Sequence, residues 1–271
     1  MGWPIGHSRS PLIHGYWLKR HGIDGYYVPL SVKPQEAAEA IRALPKLGFA
    51  GANCTVPHKH AALAAADEVD ALAGRIGAAN TLVVRDGRIF ATNTDAEGFL
   101  TNLKAGAGVA LRLDRPAVVL GAGGAARAVV VALLDAGVPE IVLVNRTRDR
   151  AETLAAELGA GRIRVASWDD RNRALAGAGL LVNTTSMGMQ GQPPLELDLA
   201  DMPADAVVND IVYAPLETGL LAAARARGNV AVDGLGMLLH QAVPGFEAWF
   251  GVRPEVTAEL RQIIVRDLGE T

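Results

Sequence analysis

The chain has 271 residues, 50% of them apolar and 20% charged, which allows a sizeable core and suits two modest domains better than one. A net charge of −3 supplies no basic field, so nucleic acid is not an expected partner, although a small anionic ligand in a locally positive pocket is. No apolar run approaches the roughly 20 residues of a membrane span, and Met1-Gly2-Trp3-Pro4 has neither the charge nor the apolar stretch of a signal peptide. The single cysteine, Cys54, excludes an internal disulfide and any multi-cysteine metal site, and it fits a cytoplasmic protein.

Gly2 to Pro11 is a dense Gly/Pro/Ser/His turn segment of the kind that follows a strand, so a strand missing from the N-terminus is expected. Ser10-Pro11 reads as an N-cap with proline at the first helical position, opening a helix over residues 10–21. Leu12, Ile13, Tyr16 and Trp17 share one face of it. Tyr26 to Val32 is strand-like, Gln35 to Leu44 reads as a helix, and Gly48 to Val56 reads as a strand. Asn80 to Val84 and Arg88 to Thr92 flank Asp86-Gly87, a hairpin signal. Residues 1–95 therefore form a mixed α/β domain.

Apolar strands follow at Ala117–Leu120, Glu140–Val144, Ile163–Ala166, Leu180–Asn183, Ala206–Ile211 and Asn229–Val232. Helical stretches, among them one from the Gly121 turn to Ala136, Arg150–Leu158 and Leu216–Arg227, separate several of them. Apolar strands alternating with helices predict a doubly wound, Rossmann-like parallel sheet over residues 96–235. The first strand runs into Gly121-Ala122-Gly123-Gly124-Ala125-Ala126, a dinucleotide fingerprint in its proper strand–turn–helix context. Gly121 permits the tight turn, Gly123 lets backbone approach a pyrophosphate, and the helix N-terminus offers free N–H groups. An NAD-binding domain places Asp or Glu at the end of its second strand. Here the residues are Asn145, Arg146, Thr147, Arg148 and Arg150, with Arg148 expected to face solvent. Arginines beside neutral side chains suit a 2′-phosphate, so the expected cofactor is NADP(H).

Gly51-Ala52-Asn53-Cys54-Thr55-Val56-Pro57-His58-Lys59 places Asn53 and Thr55 two apart, on one face of an extended strand, with a lysine at a helix start. The 26 basic residues comprise 21 arginines and only five lysines, so Lys59 stands out. Lysine can give up its proton in a protein and arginine cannot. Alone, such a lysine is most often a solvated surface residue, and Asp95, after Asn93-Thr94, is most simply a helix cap.

Together these segments resemble the shikimate dehydrogenases. The resemblance is carried by Pro4 to Pro11, Gly51 to Lys59, Asn80-Thr81, Asn93-Thr94-Asp95, Gly121 to Ala125, Asn145-Arg146-Thr147, Asn183 to Gly188, Tyr213, and Gly234 to Gln241. It implies a substrate domain over 1–95, an NADP domain over 96–235, and C-terminal helices over about 236–271 packed back on the first domain, with catalysis in a cleft. The implied reaction is reversible reduction of 3-dehydroshikimate to shikimate, in aromatic amino acid biosynthesis. Ser8 and Ser10 match the pair that binds the substrate carboxylate. Thr55, Asn80, Asp95 and Gln241 match hydroxyl-binding positions, Asn53 more weakly, and Tyr213 lies near the carboxylate end. Lys59 and Asp95 match the catalytic pair, without the sequence deciding which moves the proton. The implied cofactor contacts extend to Thr184, Ser186, Met187, Ile211, Gly234 and Met237.

Two positions depart from the family pattern: Gly15, where Asn is usual, and Cys54, at a commonly apolar position. His7, His14, His58 and His60 lack ligand spacing with carboxylates, so no metal is expected. A monomer or homodimer is expected. The alternatives are a quinate/shikimate paralogue with broader substrate or NAD use, and a non-catalytic NADP-binding module.

Overall fold

The protein is described by a computed structural model over residues 1–159 and 161–269. The chain separates into two compact units. One holds Met1–Asp95 with Leu239–Arg266, and the other is built on Ala96–Leu238.

The first unit runs α1 (Ser10–Arg20), α2 (Ala37–Ala43), β1 (Gly51–Asn53), α3 (Lys59–Ala65), β2 (Glu68–Val69), α4 (Ala71–Ile76), β3 (Thr81–Arg85) and β4 (Arg88–Thr92). Its sheet has the order β1-β3-β4-β2, with β2 parallel to β4 and the remaining pairs antiparallel. Asp86 and Gly87 close the β3–β4 hairpin with φ of 52° and 74°, the left-handed pair that lets a two-residue turn follow the strand twist. Ile41, Leu44, Cys54, Leu82 and Ile89 form the core beneath. The helical interface is aromatic: Trp17 and Phe246 are fully buried beside His14, Tyr27 and Trp249.

Three expectations change here. Ser10 is the first helical residue and Arg9 the cap position, because the Ser8 hydroxyl accepts the Ser10 N–H at 3.3 Å and turns the chain one residue early. Among the described residues, 26–32 make a single bridge, Ser31 to Gly2, with Gly2 N–H donating to Leu30 O and Val32 N–H to Gly2 O. Pro29 lacks the N–H that would extend the ladder. The strand expected over 48–56 shortens to β1. Past Asn53 the pairing runs out: Cys54 N–H still donates to Asn80 O, just before β3, but Thr55 N–H turns to Met1 O.

The second unit continues with α5 (Asp95–Ala107), β5 (Ala117–Leu120), α6 (Gly124–Asp135), β6 (Ile141–Val144), α7 (Arg148–Leu158), β7 (Ile163–Ala166), β8 (Leu180–Asn183), β9 (Val207–Asp210), α8 (Gly219–Ala226) and β10 (Val230–Val232). Helix α9 (Leu235–Phe250) bridges the unit boundary, and α10 (Ala258–Asp267) follows. Six strands lie parallel in the order β10-β9-β8-β5-β6-β7. Strands β5, β6, β8 and β9 are buried along their whole length, as strands covered on both faces must be. Chain direction across the sheet reverses between β5 and β8, the switch point at which such sheets bind ligands. Among the described residues no helix is long and apolar enough to cross a membrane.

Candidate active site

Lys59 and Asp95 each begin a helix, α3 and α5, and their side chains meet. Lys59 Nζ donates to Asp95 Oδ2 at 2.5 Å, with side-chain exposures of 15% and 8%. Asp95 is held from two further directions. Its N–H donates to Asn93 Oδ1 at 3.0 Å, and its Oδ1 accepts from Asn80 Nδ2 at 2.9 Å. The Asn80 amide also reaches Thr94 Oγ1 at 2.9 Å and Gln241 Oε1 at 3.2 Å, while its Oδ1 accepts the Thr94 N–H. Thr94 Oγ1 donates to Gln241 O at 2.8 Å. Four sequence-predicted residues, Lys59, Asn80, Asp95 and Gln241, thus share one bonded cluster. A buried carboxylate with a cation and amide donors on it is satisfied, and the lysine carries protons that a substrate oxygen could take.

Asn53 joins this cluster from β1. Its Nδ2 donates to Asn80 O at 3.1 Å and Thr81 Oγ1 at 3.0 Å, and its Oδ1 accepts the Tyr27 phenol at 2.8 Å. Burial raises the Tyr27 pKa above the usual phenol value, so it stays protonated. Its ring stacks on His14 with centroids 4.1 Å apart. His14 is fully buried and neither ring nitrogen has a hydrogen-bond partner; burial lowers its pKa to about 3, so it stays neutral. Thr55 lies exposed beyond the end of β1. Ser8 Oγ accepts the backbone N–H of Ser10. Tyr213 lies in the second unit, after β9. His58 Nε2 pairs with Val32 O and His60 Nδ1 with Gly77 O, so these histidines serve the fold.

The second unit presents the loops expected to hold a nucleotide at its switch point. Gly121 follows β5 with φ of 107°, and a Cβ there would stand 2.6 Å from Thr184 Oγ1, just past β8. Only glycine fits. Thr184 Oγ1 donates to Leu120 O at 2.6 Å, tying the two strand ends together. Gly123 caps α6, and a Cβ on it would meet nothing within 4 Å, so the helix N-terminus is open beside Ala122, Gly124 and Ala125. Asn145 Nδ2 donates to Thr147 O at 2.8 Å and shapes the turn from β6 into α7. Arg148 is engaged with Glu152, whereas Arg146 and Arg150 are exposed and have no ion-pair partner among the described residues. No acidic side chain stands at the end of β6. Gly234 permits a close approach to Ile211 O, which a Cβ would meet at 2.2 Å, and Met237 is nearly buried.

Behind these loops lies a polar network that the sequence reading missed. Asp210, at the end of β9, accepts from Asn183 Nδ2 and Val212 N–H on Oδ1 and from Thr218 Oγ1 on Oδ2, at 2.8–3.0 Å. Asn183 Oδ1 in turn accepts from Thr185 N–H and Oγ1. One carboxylate thereby ties the loop carrying Thr184, Ser186 and Met187 to the loop carrying Ile211. Burial raises its pKa to about 6 against the pull of those three donors. Polar residues ending wholly apolar strands were the available signal. For Tyr27 and His14 the sequence offered none beyond their apolar neighbours.

Three family models match the chain: the shikimate dehydrogenase substrate binding domain over residues 1–82, shikimate / quinate 5-dehydrogenase over 109–190, and the shikimate 5'-dehydrogenase C-terminal domain over 234–262. A shikimate dehydrogenase (NADP(+)) from Paramagnetospirillum magneticum is 61% identical over 98% of this chain and 96% of its own length. Among solved structures, the shikimate 5-dehydrogenase of Thermus thermophilus in complex with NADP(H) and shikimate is 38% identical with a TM-score of 0.86, covering 98% of this chain and 97% of its own. The quinate dehydrogenase of Corynebacterium glutamicum in complex with NAD is 32% identical with a TM-score of 0.90, covering 98% and 96%. With its fold, its cluster of Lys59, Asn80 and Asp95 and its Gly121 turn in place, the chain belongs to the shikimate dehydrogenase family.

Proposed function

We propose that the protein is an NADP-dependent shikimate dehydrogenase that reversibly reduces 3-dehydroshikimate to shikimate. The observation that carries this reading is the Lys59–Asp95 contact inside a cluster of amide side chains. Such a cluster offers a polyol several hydrogen-bond partners and one proton donor.

NADPH, when bound, supplies a hydride to the carbonyl carbon. The chain's residues suit that cofactor, since Gly123 leaves open space for a pyrophosphate at the start of α6 and no acid stands at the end of β6, where Asn145 and Arg146 follow the strand. We assign the pyrophosphate to Gly121–Ala125, the adenosine end to Asn145, Arg146, Thr147 and Arg150, and the remaining contacts to Thr184, Ser186, Met187, Ile211, Gly234 and Met237. Lys59 gives a proton from Nζ to the oxygen that becomes the new hydroxyl, and recovers it from solvent. Asp95 holds the ammonium and accepts from the hydroxyl once formed, so the oxygen's charge never builds up unpaired. Ser8 and Ser10 take the carboxylate, and Thr55, Asn80 and Gln241 the ring hydroxyls. No step in this scheme calls on a metal ion.

The quinate alternative has a specific argument in its favour, the likeness to a quinate dehydrogenase solved with NAD. The arginines and the missing acid after β6 favour NADP over NAD. Absorbance at 340 nm with shikimate and NADP tests the reading. Turnover with that pair well above quinate with NAD is expected, and the reverse preference, or no turnover, refutes it.

A further inference from the structure

Asn53 and Thr81 stand opposite each other in the antiparallel pairing of β1 with β3, so their side chains meet on one face of the sheet. The Asn53 amide is held one way round, because Asn80 O, 3.1 Å from its Nδ2, can only accept. The second Nδ2 hydrogen goes to Thr81 Oγ1 at 3.0 Å. Thr81 in turn sends its own proton to Asn80 Oδ1 at 3.0 Å, nearer than the other acceptor in reach, Thr94 Oγ1 at 3.3 Å. Asn80 Oδ1 also accepts the Thr94 N–H at 2.8 Å, so both its lone pairs are in use. The amide hydrogens of Asn80 are thereby left for Asp95 Oδ1, Thr94 Oγ1 and Gln241 Oε1. Thr81 itself is fully buried, so a substrate cannot touch it.

We propose that Thr81 is a positioning residue for the substrate: its hydroxyl is the second anchor that keeps the Asn80 amide aimed at Asp95 and Gln241. The need for a second anchor comes from the side chain itself. The terminal torsion of asparagine is broad, so rotamer preference does not hold the amide plane and hydrogen bonds must. Without the Thr81 hydroxyl, Asn80 Oδ1 keeps the Thr94 N–H alone. Its freed lone pair lies 3.2 Å from Thr94 Oγ1, whose proton otherwise goes to Gln241 O at 2.8 Å. One lost hydroxyl therefore loosens the Asn80 plane, sets Asn80 against Gln241 for the Thr94 proton, and strands an Asn53 hydrogen. Lys59 keeps its hold, because it meets Asp95 through the other oxygen, Oδ2. The loss accordingly falls on the binding of substrate hydroxyls more than on proton transfer.

This inference rests on Asn80 as a substrate contact, and the test separates the two. Thr81→Val keeps the shape and removes the hydroxyl, whereas Thr81→Ser keeps the hydroxyl and removes a buried methyl. Thr81→Val should raise the KM for shikimate about tenfold, the worth of roughly one hydrogen bond, with kcat within about threefold and the KM for NADP within about twofold. Thr81→Ser should keep all three within about twofold, even with a lowered melting temperature. In an Asn80→Ala background Thr81→Val should add less than about twofold, because Thr81 acts through Asn80. An unchanged KM in Thr81→Val, equal losses in the two variants, or the same factor with and without Asn80 overturns the role of Thr81 and leaves the Asn80 assignment standing. An unchanged KM in Asn80→Ala overturns both. If Thr81→Val does not fold, Thr81→Ala against Thr81→Ser isolates the same hydroxyl. A KM about tenfold higher in Thr81→Ala supports the proposal, and equal KM values overturn it.

Discussion

Lys59 and Asp95 are the first residues of α3 and α5, 36 positions apart in sequence, and their side chains are in direct contact at 2.5 Å. The contact fixes where a proton is held, and Asn80 fixes the carboxylate that holds it.

Replacing Lys59 by Ala removes the proton source and leaves Asp95 buried without its cation. We expect kcat to fall by ~10²–10⁴, the usual loss for an acid/base group, with a much smaller rise in the KM for shikimate. Steady-state kinetics decide this; near wild-type kcat in the variant would exclude Lys59 from the chemistry.

Arg146 is exposed at the turn into α7 with no ion-pair partner among the described residues. Its removal in Arg146→Ala should raise the KM for NADP about 10–100-fold, the range of a charge-assisted hydrogen bond, and leave that for NAD nearly unchanged. Equal losses with both cofactors would place Arg146 elsewhere than on a 2′-phosphate.

Gly51 opens β1, the strand that delivers Asn53. A Cβ there would stand 2.1 Å from both Leu82 O and Trp249 Nε1, which are hydrogen-bonded to each other at 2.9 Å. Gly51→Ala should cost about 2–4 kcal/mol through overpacking and the broken bond. Urea unfolding measures it, and a loss below about 0.5 kcal/mol would mean that the indole yields freely.

Asp210 gives a pH signature with a definite sign. Its pKa is about 6 in the folded protein because of burial, against about 4 in an unfolded chain. Between those values the folded state binds more protons than the unfolded state, so this group's stabilising contribution is complete below pH about 4 and is lost as pH rises through about 6. Asp210→Asn removes the slope while keeping an acceptor for Asn183 and Val212. Relative to wild type, the variant should gain about 2 kcal/mol between pH 4 and pH 7. Parallel urea midpoints at the two pH values would contradict the assignment.

How legible each part was depends on the range of the force that sets it. The Gly121 turn, the Asp86-Gly87 hairpin and the apolar strands from β5 onward were readable because backbone sterics and two-sided burial act within a few residues. The strand expected over 26–32 was not, because a strand exists only where a partner backbone is present, and here that partner is little more than Gly2. Tyr27 reads as one more residue of that segment, since nothing local shows that its hydroxyl donates to Asn53.

From residues alone came the fold class, the dinucleotide turn, the preference for a 2′-phosphate and, through ordered motifs, the family. Each is written in side-chain chemistry or glycine geometry that needs no distant contact. Packing alone decided that Lys59 touches Asp95, that Asn80 and Gln241 close on the same cluster, and that Asp210 ties two loops. Hydrogen bonds between residues far apart in sequence depend on how strands and helices stack, and that register exists only in the folded chain.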